Sequence, residues 1–155
     1  MDTFEFGRGI AEDAAITPAC TAAIFDESGD KVLLVRRADS GQWKLPGGHV
    51  EAGESVAECC QRVVREGTGL AVRVTRLIGI YTTPDRIKIA ADGTRCQIIA
   101  MHFRCTVSGG TLRLNDEYSD VGFFTLAEIA RMDLIKHHNE RIAETLAART
   151  ETFIH

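Results

Sequence analysis

"GGHVEAGESVAECCQRVVREGTGL", residues 47–70, is the stretch that decides how the rest of this chain is interpreted. It opens with two glycines and a short polar loop. Apolar residues then recur at helical spacing between residues 55 and 66, which predicts an amphipathic helix. These apolar residues are Val56, Cys60, Val63 and Val64. Thr68-Gly69 marks the predicted end, because glycine readily adopts the left-handed conformation that terminates helices.

Strands are predicted on both sides of this helix. Residues 17–27 and 31–37 are apolar runs separated by Ser-Gly-Asp, a turn signal, so we expect them to pair as a hairpin. After the helix, β-branched and aromatic residues are enriched in three runs, which favours strands. These runs are residues 70–83, 96–107 and 122–126. Asp92-Gly93 predicts a hairpin turn between the first two of them.

The remaining segments complete a layered domain. Residues 125–133 and 137–150 have helical patterns and close the chain. Residues 1–15 show no sustained period, and we interpret them as an N-terminal lead segment, either flexible or an edge element. Residues 16–155 then form a single α/β domain, since strands and helices of this length must cover each other in layers.

Composition excludes several classes of function. The 155 residues carry a net charge of −4, which argues against general nucleic-acid binding but not against a small phosphorylated ligand. We find no apolar run of membrane-spanning length and no signal peptide, so we expect a cytoplasmic protein without membrane partners. The five cysteines lack zinc-site spacing, and we expect reduced thiols in the core.

One motif in the opening stretch is specific. Gly48 is followed by five residues, Glu54, seven residues, Arg62 and then Val-Val-Arg-Glu-Gly-Thr-Gly-Leu. This pattern resembles the box of the Nudix (MutT-like) hydrolases, in which the arginine precedes Glu-aliphatic-x-Glu-Glu-x-Gly-aliphatic. Residues 37–54 and 115–129 also look like the family's lead-in loop and acidic loop. The resemblance implies the Nudix fold, an α/β/α sandwich around a mixed β-sheet.

The resemblance also implies a site for Mg²⁺ or Mn²⁺ beside the diphosphate of a nucleotide. Mg²⁺ prefers oxygen ligands and shares its coordination shell with phosphates and water. The implied metal ligands are the Gly47 carbonyl, Glu66, Glu117 and, as a near alternative, Asp120. Glu66 and Glu117 are the candidate catalytic residues. Candidate substrate-binding residues are Gly47, Gly48, Arg36, Trp43 and Arg86. An aromatic residue before this loop more often packs in the core, and each arginine taken alone is more often a solvated charge.

Two positions depart from the family's box. Carboxylates at helix positions i, i+3 and i+4 project from one face and hold metal ions together, but here those positions are Val63, Glu66 and Gly67. Val63 and Gly67 are explained as core contacts, because they share the apolar stripe of the helix. Glu54 and Arg62 are expected to form a structural ion pair.

A Nudix-like motif that lacks two of its carboxylates is compatible with three functions. The first is a Nudix-type hydrolase, with reduced metal-dependent activity, that cleaves a diphosphate linkage in a nucleotide or nucleoside diphosphate derivative. The second is a non-catalytic domain that binds a nucleotide or nucleotide sugar. The third is transfer chemistry at carbon that needs less metal. We favour the hydrolase because the rest of the motif is intact, and because many relatives are dimers we also expect that a homodimer can form.

Overall fold

A computed structural model describes residues 2–147 and 149–155 of the chain. In chain order the strands are β1 (Thr3–Phe6), β2 (Ala15–Ile24), β3 (Val32–Arg37), β4 (Trp43–Lys44), β5 (Gly47–His49), β6 (Leu70–Tyr81), β7 (Arg86–Ile89), β8 (Arg95–Gly110), β9 (Tyr118–Phe124) and β10 (Phe153–Ile154). The helices are α1 (Val56–Thr68), between β5 and β6, and α2 (Leu126–Ile129) and α3 (His138–Leu146), between β9 and β10.

Two sheets form the centre of the fold. Seven strands build the larger sheet, in which β1, β7, β8, β2 and β5 are successive neighbours and β6 pairs with β8 and β10. The strands β2 and β8 run parallel, whereas β6 and β7 run antiparallel to β8. The smaller sheet has the order β4-β3-β9. The predicted α/β fold with a mixed sheet is confirmed.

The predicted hairpin between β2 and β3 is wrong. The two strands belong to different sheets and share only an isolated bridge between Phe25 and Val32. Inside the larger sheet β2 already has a partner on each side, because β8 and β5 occupy its two edges. β3 pairs with β4 and β9 in the smaller sheet instead.

Side chains along β2 and β3 point alternately to opposite faces, so these strands contribute to two hydrophobic cores. Ala22, Ile24, Leu33 and Val35 face one cluster, together with the apolar side of α1. Ala23, Val32 and Leu34 face the other cluster, where Ile129, Leu134 and Ile142 of the C-terminal segments pack. Because successive strand residues point to opposite faces, a strand covered on both faces is a continuous apolar run. Helices therefore cover both sides of the strands.

Local signals set the ends of α1. The Ser55 side chain accepts a hydrogen bond from the Glu58 backbone N–H, and the Glu58 carboxylate accepts one from the Ser55 N–H, which is a capping box. Gly69 closes the helix in the left-handed conformation, with φ of 76°. The helix end predicted at Thr68-Gly69 is confirmed.

Other predictions concern the cysteines, the turns and the N-terminal segment. All five cysteines are free and buried, as expected. The turn predicted at Asp92-Gly93 is present, but it joins β8 to β7, a strand that the sequence did not predict, and not directly to β6. Residues 3–6 of the predicted lead segment form an edge strand on β7, while the proposed domain boundary at residue 16 stays a prediction. Among the described residues, no helix has the length and apolar character needed to cross a membrane.

Candidate functional site

Gly47 and Gly48 begin the site by letting β5 lie very close to its neighbours. A Cβ atom on Gly47 would lie 2.4 Å from the Cys20 carbonyl oxygen, and one on Gly48 would lie 2.7 Å from Val63 Cγ1. Neither glycine has a positive φ. Their role in this structure is therefore close approach to β2 and α1, where any side chain would collide with backbone or packed atoms.

Arg62 ties the loop after β5 to α1. Its Nε donates to Glu54 Oε1 at 2.6 Å, and its Nη2 donates to the His49 carbonyl at 2.9 Å. The predicted ion pair between Glu54 and Arg62 is confirmed. The hydrogen bond from Arg62 lowers the pKa of Glu54 from 4.5 to about 2. Arg62 also reaches Glu66 Oε2 at 3.3 Å, so one guanidinium connects the loop with the remaining acidic residue of the motif.

Apolar contacts occupy both positions where the motif lacks a carboxylate. Val63 is 9% exposed and belongs to the core cluster beneath α1. Gly67 lies against the ring of Tyr118, such that a Cβ there would be 2.6 Å from Tyr118 Cε2. Tyr118 is itself buried, and burial raises the pKa of its hydroxyl to about 12. The interpretation of Val63 and Gly67 as core contacts is confirmed.

A cavity of about 250 Å³, which we call the box cavity, opens between β5, α1 and the loop before β9. Glu66 and Glu117 both line it, together with Gly47, Gly48 and Glu51. The Glu66 side chain is 61% exposed. The structure therefore brings Glu66 and Glu117 to one cavity, although they come from elements about fifty residues apart.

A larger cavity of about 560 Å³, the cationic cavity, shares Gly47, Gly48 and Glu117 with the box cavity. Five cationic side chains line it: Arg37, Lys44, Arg86, Lys88 and Arg141. Asp39 pairs with Arg37 and Asp2 pairs with Lys88. Among the described residues the other three cations form no ion pair. Burial, and then the charge of Arg37, lower the pKa of Lys44 to about 8.

The family model described as NUDIX domain matches residues 16–147, which is most of the chain. The chain belongs to the Nudix family.

Similar proteins support this assignment. An ADP-ribose pyrophosphatase of Methanocaldococcus jannaschii is 35% identical over 118 residues, which cover 74% of this chain and 66% of that protein. A MutT-like protein of Streptomyces ambofaciens is 34% identical over 128 residues, covering 83% of this chain and 71% of that protein. The crystal structure of an ADP-ribose pyrophosphatase from Streptococcus suis has a TM-score of 0.70 and 27% identity, covering 90% of this chain and 98% of that one.

The donor set of this Nudix box supports only a sparse metal site. Among the described residues, a cluster of three potential metal-binding side chains occurs at Glu140, Glu144 and His155, which are far from the box in the chain. The box itself has no such cluster among these residues. Glu66 and Glu117 nevertheless face one cavity with Gly47, and Mg²⁺ can be held by one or two carboxylates when phosphates and water complete its shell. The residues present thus fit a Mg²⁺ ion that arrives with a phosphorylated ligand.

Three predicted site residues lie outside both cavities. Arg36 is exposed, and its Nε donates to the Gly41 carbonyl at 2.9 Å. The Trp43 ring packs edge-on against Phe124, with 5.0 Å between ring centroids, which favours the packing explanation. Asp120 lies opposite Arg36 in the pairing of β9 with β3, and its Oδ1 accepts from the Val121 N–H. By contrast, Arg86 lines the cationic cavity.

Four residues of the Nudix site were missed by sequence reasoning: Lys44, Lys88, Arg141 and Tyr118. Lys44 and Lys88 occupy short strands, where an alternating charge is normally solvated, and Arg141 lies in a helix of ordinary polar pattern. Only the assembly of β4, β7 and α3 around one cavity distinguishes these cations from surface charges. Tyr118 carried one usable signal, because it follows directly after the acidic Asp116-Glu117 pair.

Proposed function

We propose that this Nudix protein hydrolyses the diphosphate linkage of a nucleoside diphosphate derivative, with Mg²⁺ or Mn²⁺, at a rate reduced by the loss of two box carboxylates. One observation supports this most strongly. Three cations without an acidic partner among the described residues line a cavity that shares Gly47, Gly48 and Glu117 with the box cavity. An uncompensated cluster of buried cations is stabilised by an anionic ligand, and a diphosphate supplies that charge.

Residues of the two cavities have different proposed roles, namely phosphate binding, metal binding and nucleobase binding. Lys44 and Lys88 lie near the shared wall, where Lys88 Nζ is 3.1 Å from His49 Nε2, and they neutralise charge on the phosphates. Charge stabilisation and positioning supply most of the catalysis in phosphoryl transfer. Glu66 and Glu117 would hold the metal ion, which polarises the phosphate and the attacking water when it is bound. Phe4, Ile98 and Ile135 provide an apolar wall suited to a nucleobase.

The names of similar proteins agree with this substrate class. Two of the proteins compared above are ADP-ribose pyrophosphatases, and a nucleoside triphosphatase NudI of Escherichia coli is 31% identical over 110 residues. All of these activities break a linkage between phosphates. We therefore propose a small nucleotide derivative as the ligand of this protein.

A second candidate is a domain that binds such a nucleotide without cleaving it. The packing of Tyr118 on Gly67 and of Val63 beside Gly48 favours it, because both fill space with apolar atoms where the family's motif has carboxylates. The two candidates share the ligand and differ only in turnover.

The experiment combines binding with turnover. We expect nucleoside diphosphate derivatives to raise the melting temperature with Mg²⁺ present, since a ligand that binds only the folded state stabilises it. For the best ligand, Glu66→Gln should reduce metal-dependent hydrolysis at least about tenfold, which corresponds to about 1.4 kcal/mol in the barrier. Glu27→Gln, an exposed substitution outside both cavities, is the matched control.

Two outcomes separate the candidates. Binding without any hydrolysis by the wild-type protein would establish the non-catalytic domain. Hydrolysis that is unchanged in Glu66→Gln would move the chemistry to the Glu117 side of the box cavity, and Glu117→Gln then tests that assignment.

A further inference from the structure

Arg86 and Arg141 are buried cations with no visible counter-charge. They are 5% and 3% exposed. Within the described part of the chain, neither guanidinium makes an ion pair or a hydrogen bond, and Arg141 Nε is a buried donor without an acceptor. Arg86 instead lies over the ring of Phe4 at 5.8 Å, and Arg141 over the ring of Tyr81 at 4.9 Å.

This arrangement is costly in the ligand-free protein. A buried charge normally has a partner, because losing water costs several kcal/mol or more for each ion. The two guanidiniums are also close enough to repel each other: burial and then the charge of Arg86 lower the pKa of Arg141 to about 10. Glu140 attracts both but lies beyond ion-pair distance of either. Aromatic faces compensate only part of this cost.

The same part of the cationic cavity offers a further donor. The Leu45 N–H donates to His138 Nδ1 at 3.0 Å. Burial keeps the pKa of His138 well below its usual value, so the ring is neutral and carries its proton on Nε2. His137 and His138 begin α3, and the positive end of the helix dipole favours an anion there. Both histidines line the cavity.

The two arginines contact different residues from the two lysines beside the box. Lys88 contacts His49, and the Glu117 charge acts on Lys44, so these two lysines lie at the wall shared with the box cavity. Arg86 and Arg141 border Phe4 and Tyr81 instead. A diphosphate that links two groups carries one negative charge on each phosphate, fewer charges than the three unpaired cations of the cavity, so part of the positive charge of the arginines stays uncompensated.

We propose that Arg86 and Arg141, with His138, form a subsite for a second anionic group of the ligand, a phosphomonoester at the end of the molecule remote from the scissile diphosphate. Two guanidiniums match a phosphate dianion in charge, and their paired N–H donors match its oxygens. The subsite extends the proposed function, which supplies the diphosphate end of the same ligand.

The first test uses inorganic phosphate without metal, which probes the subsite independently of hydrolysis. We expect phosphate to raise the melting temperature of the wild-type protein and of Arg73→Met, an exposed arginine of β6 outside the cavity. Arg86→Met and Arg141→Met should each weaken phosphate binding at least tenfold. The ligand-free Arg141→Met protein should be as stable as the wild type or more stable, because a buried charge is removed without breaking an ion pair.

If Arg141→Met does not fold, Arg86→Met and Arg141→Lys give the same comparison, since lysine keeps the charge and loses the planar pair of donors. Equal phosphate stabilisation in the wild type and in all cavity variants would overturn the subsite. So would the absence of any stabilisation of the wild type by phosphate.

The second test measures kcat/KM for two nucleoside diphosphate derivatives that differ only in one additional phosphomonoester. Arg86→Met should lower kcat/KM at least tenfold more for the phosphorylated compound than for the other compound. An equal loss on both compounds would contradict the subsite. Hydrolysis of neither compound by the wild type would count against the proposed function, and the phosphate measurements would then decide the subsite alone.

Discussion

At the scale of single residues, Arg62 connects the motif's loop to its helix. The guanidinium is held by Glu54 at 2.6 Å and by the His49 carbonyl at 2.9 Å. These bonds satisfy a backbone acceptor in a loop that has little regular structure, and they place Glu66 beside the box cavity. Glu54 and Arg62 therefore act by positioning.

The lowered pKa of Glu54 makes this role measurable. A carboxylate whose pKa is about 2 in the folded protein and 4.5 otherwise stabilises the fold above pH 4.5, and the contribution is lost as the pH falls toward 2. We expect Glu54→Gln to be less stable than the wild type at pH 7, with the difference shrinking across this window. Denaturant unfolding at several pH values measures this difference in the free energy of unfolding.

Glu51→Gln is the control for this prediction, because Glu51 lies in the same loop but is 3.7 Å from Arg62 and largely exposed. Its stability difference from the wild type should be small at all pH values. A difference for Glu54→Gln that is constant from pH 7 to pH 2 would show that the ion pair contributes nothing to stability.

At the scale of elements, α1 meets the start of β9 through Gly67 and Tyr118. The contact replaces a polar face of the helix with an apolar one, since the ring occupies the space next to Gly67. A glutamate at Gly67 would therefore require the Tyr118 ring to move.

Gly67→Ala tests the tightness of this contact. Alanine gains up to about 1 kcal/mol of helix propensity over glycine, but the new Cβ would lie 2.6 Å from a buried ring, and overpacking costs about 1–3 kcal/mol. We expect net destabilisation of about 1 kcal/mol in the free energy of unfolding. In a Tyr118→Leu background the same change should become neutral or stabilising.

A double-mutant cycle on Gly67 and Tyr118 measures this coupling by denaturant unfolding. Gln61→Ala, at an exposed position of the same helix, is the control and should have the same effect in both backgrounds. Additive free energies for Gly67→Ala and Tyr118→Leu would mean that the ring moves away at no cost.

At the scale of the whole molecule, distant elements assemble the candidate site around two cavities that share wall residues. Glu66 comes from α1 and Glu117 from the loop before β9, while the cations come from β3, β4, β7 and α3. The metal end is poor in carboxylates and the ligand end is rich in cations. Metal and ligand are therefore expected to bind together.

Calorimetry tests this coupling between the cavities. Mg²⁺ titrated into the ligand-free protein should bind more weakly than micromolar, because two carboxylates alone leave most of the octahedral shell to water. A non-hydrolysable nucleoside diphosphate analogue should raise the Mg²⁺ affinity at least tenfold. Micromolar Mg²⁺ binding without nucleotide would contradict the sparse site, and Glu117→Gln serves to show that any heat arises in the box cavity.

What the sequence determined by itself is mostly local. The length and end of α1, the turn at Gly93 and the pairing of Glu54 with Arg62 depend on hydrogen bonds, capping and side-chain spacing within a few residues. The motif also identified the family, and it gave Glu66 and Glu117 as candidate metal ligands, which the fold brings to one cavity. These features were predictable because their partners are close in the chain or at a specific spacing.

The tertiary structure decided which distant segments meet. It placed β2 and β3 in different sheets, in which β2 pairs with β8 and β5 and β3 pairs with β4 and β9. It packed Tyr118 on Gly67 and gathered Lys44, Arg86 and Arg141 around one cavity. The sequence around a lysine or arginine in a strand or helix is the same whether its side chain faces water or a bound ligand. The function of such a residue depends on burial and on partners far away in the chain, which only the fold brings together.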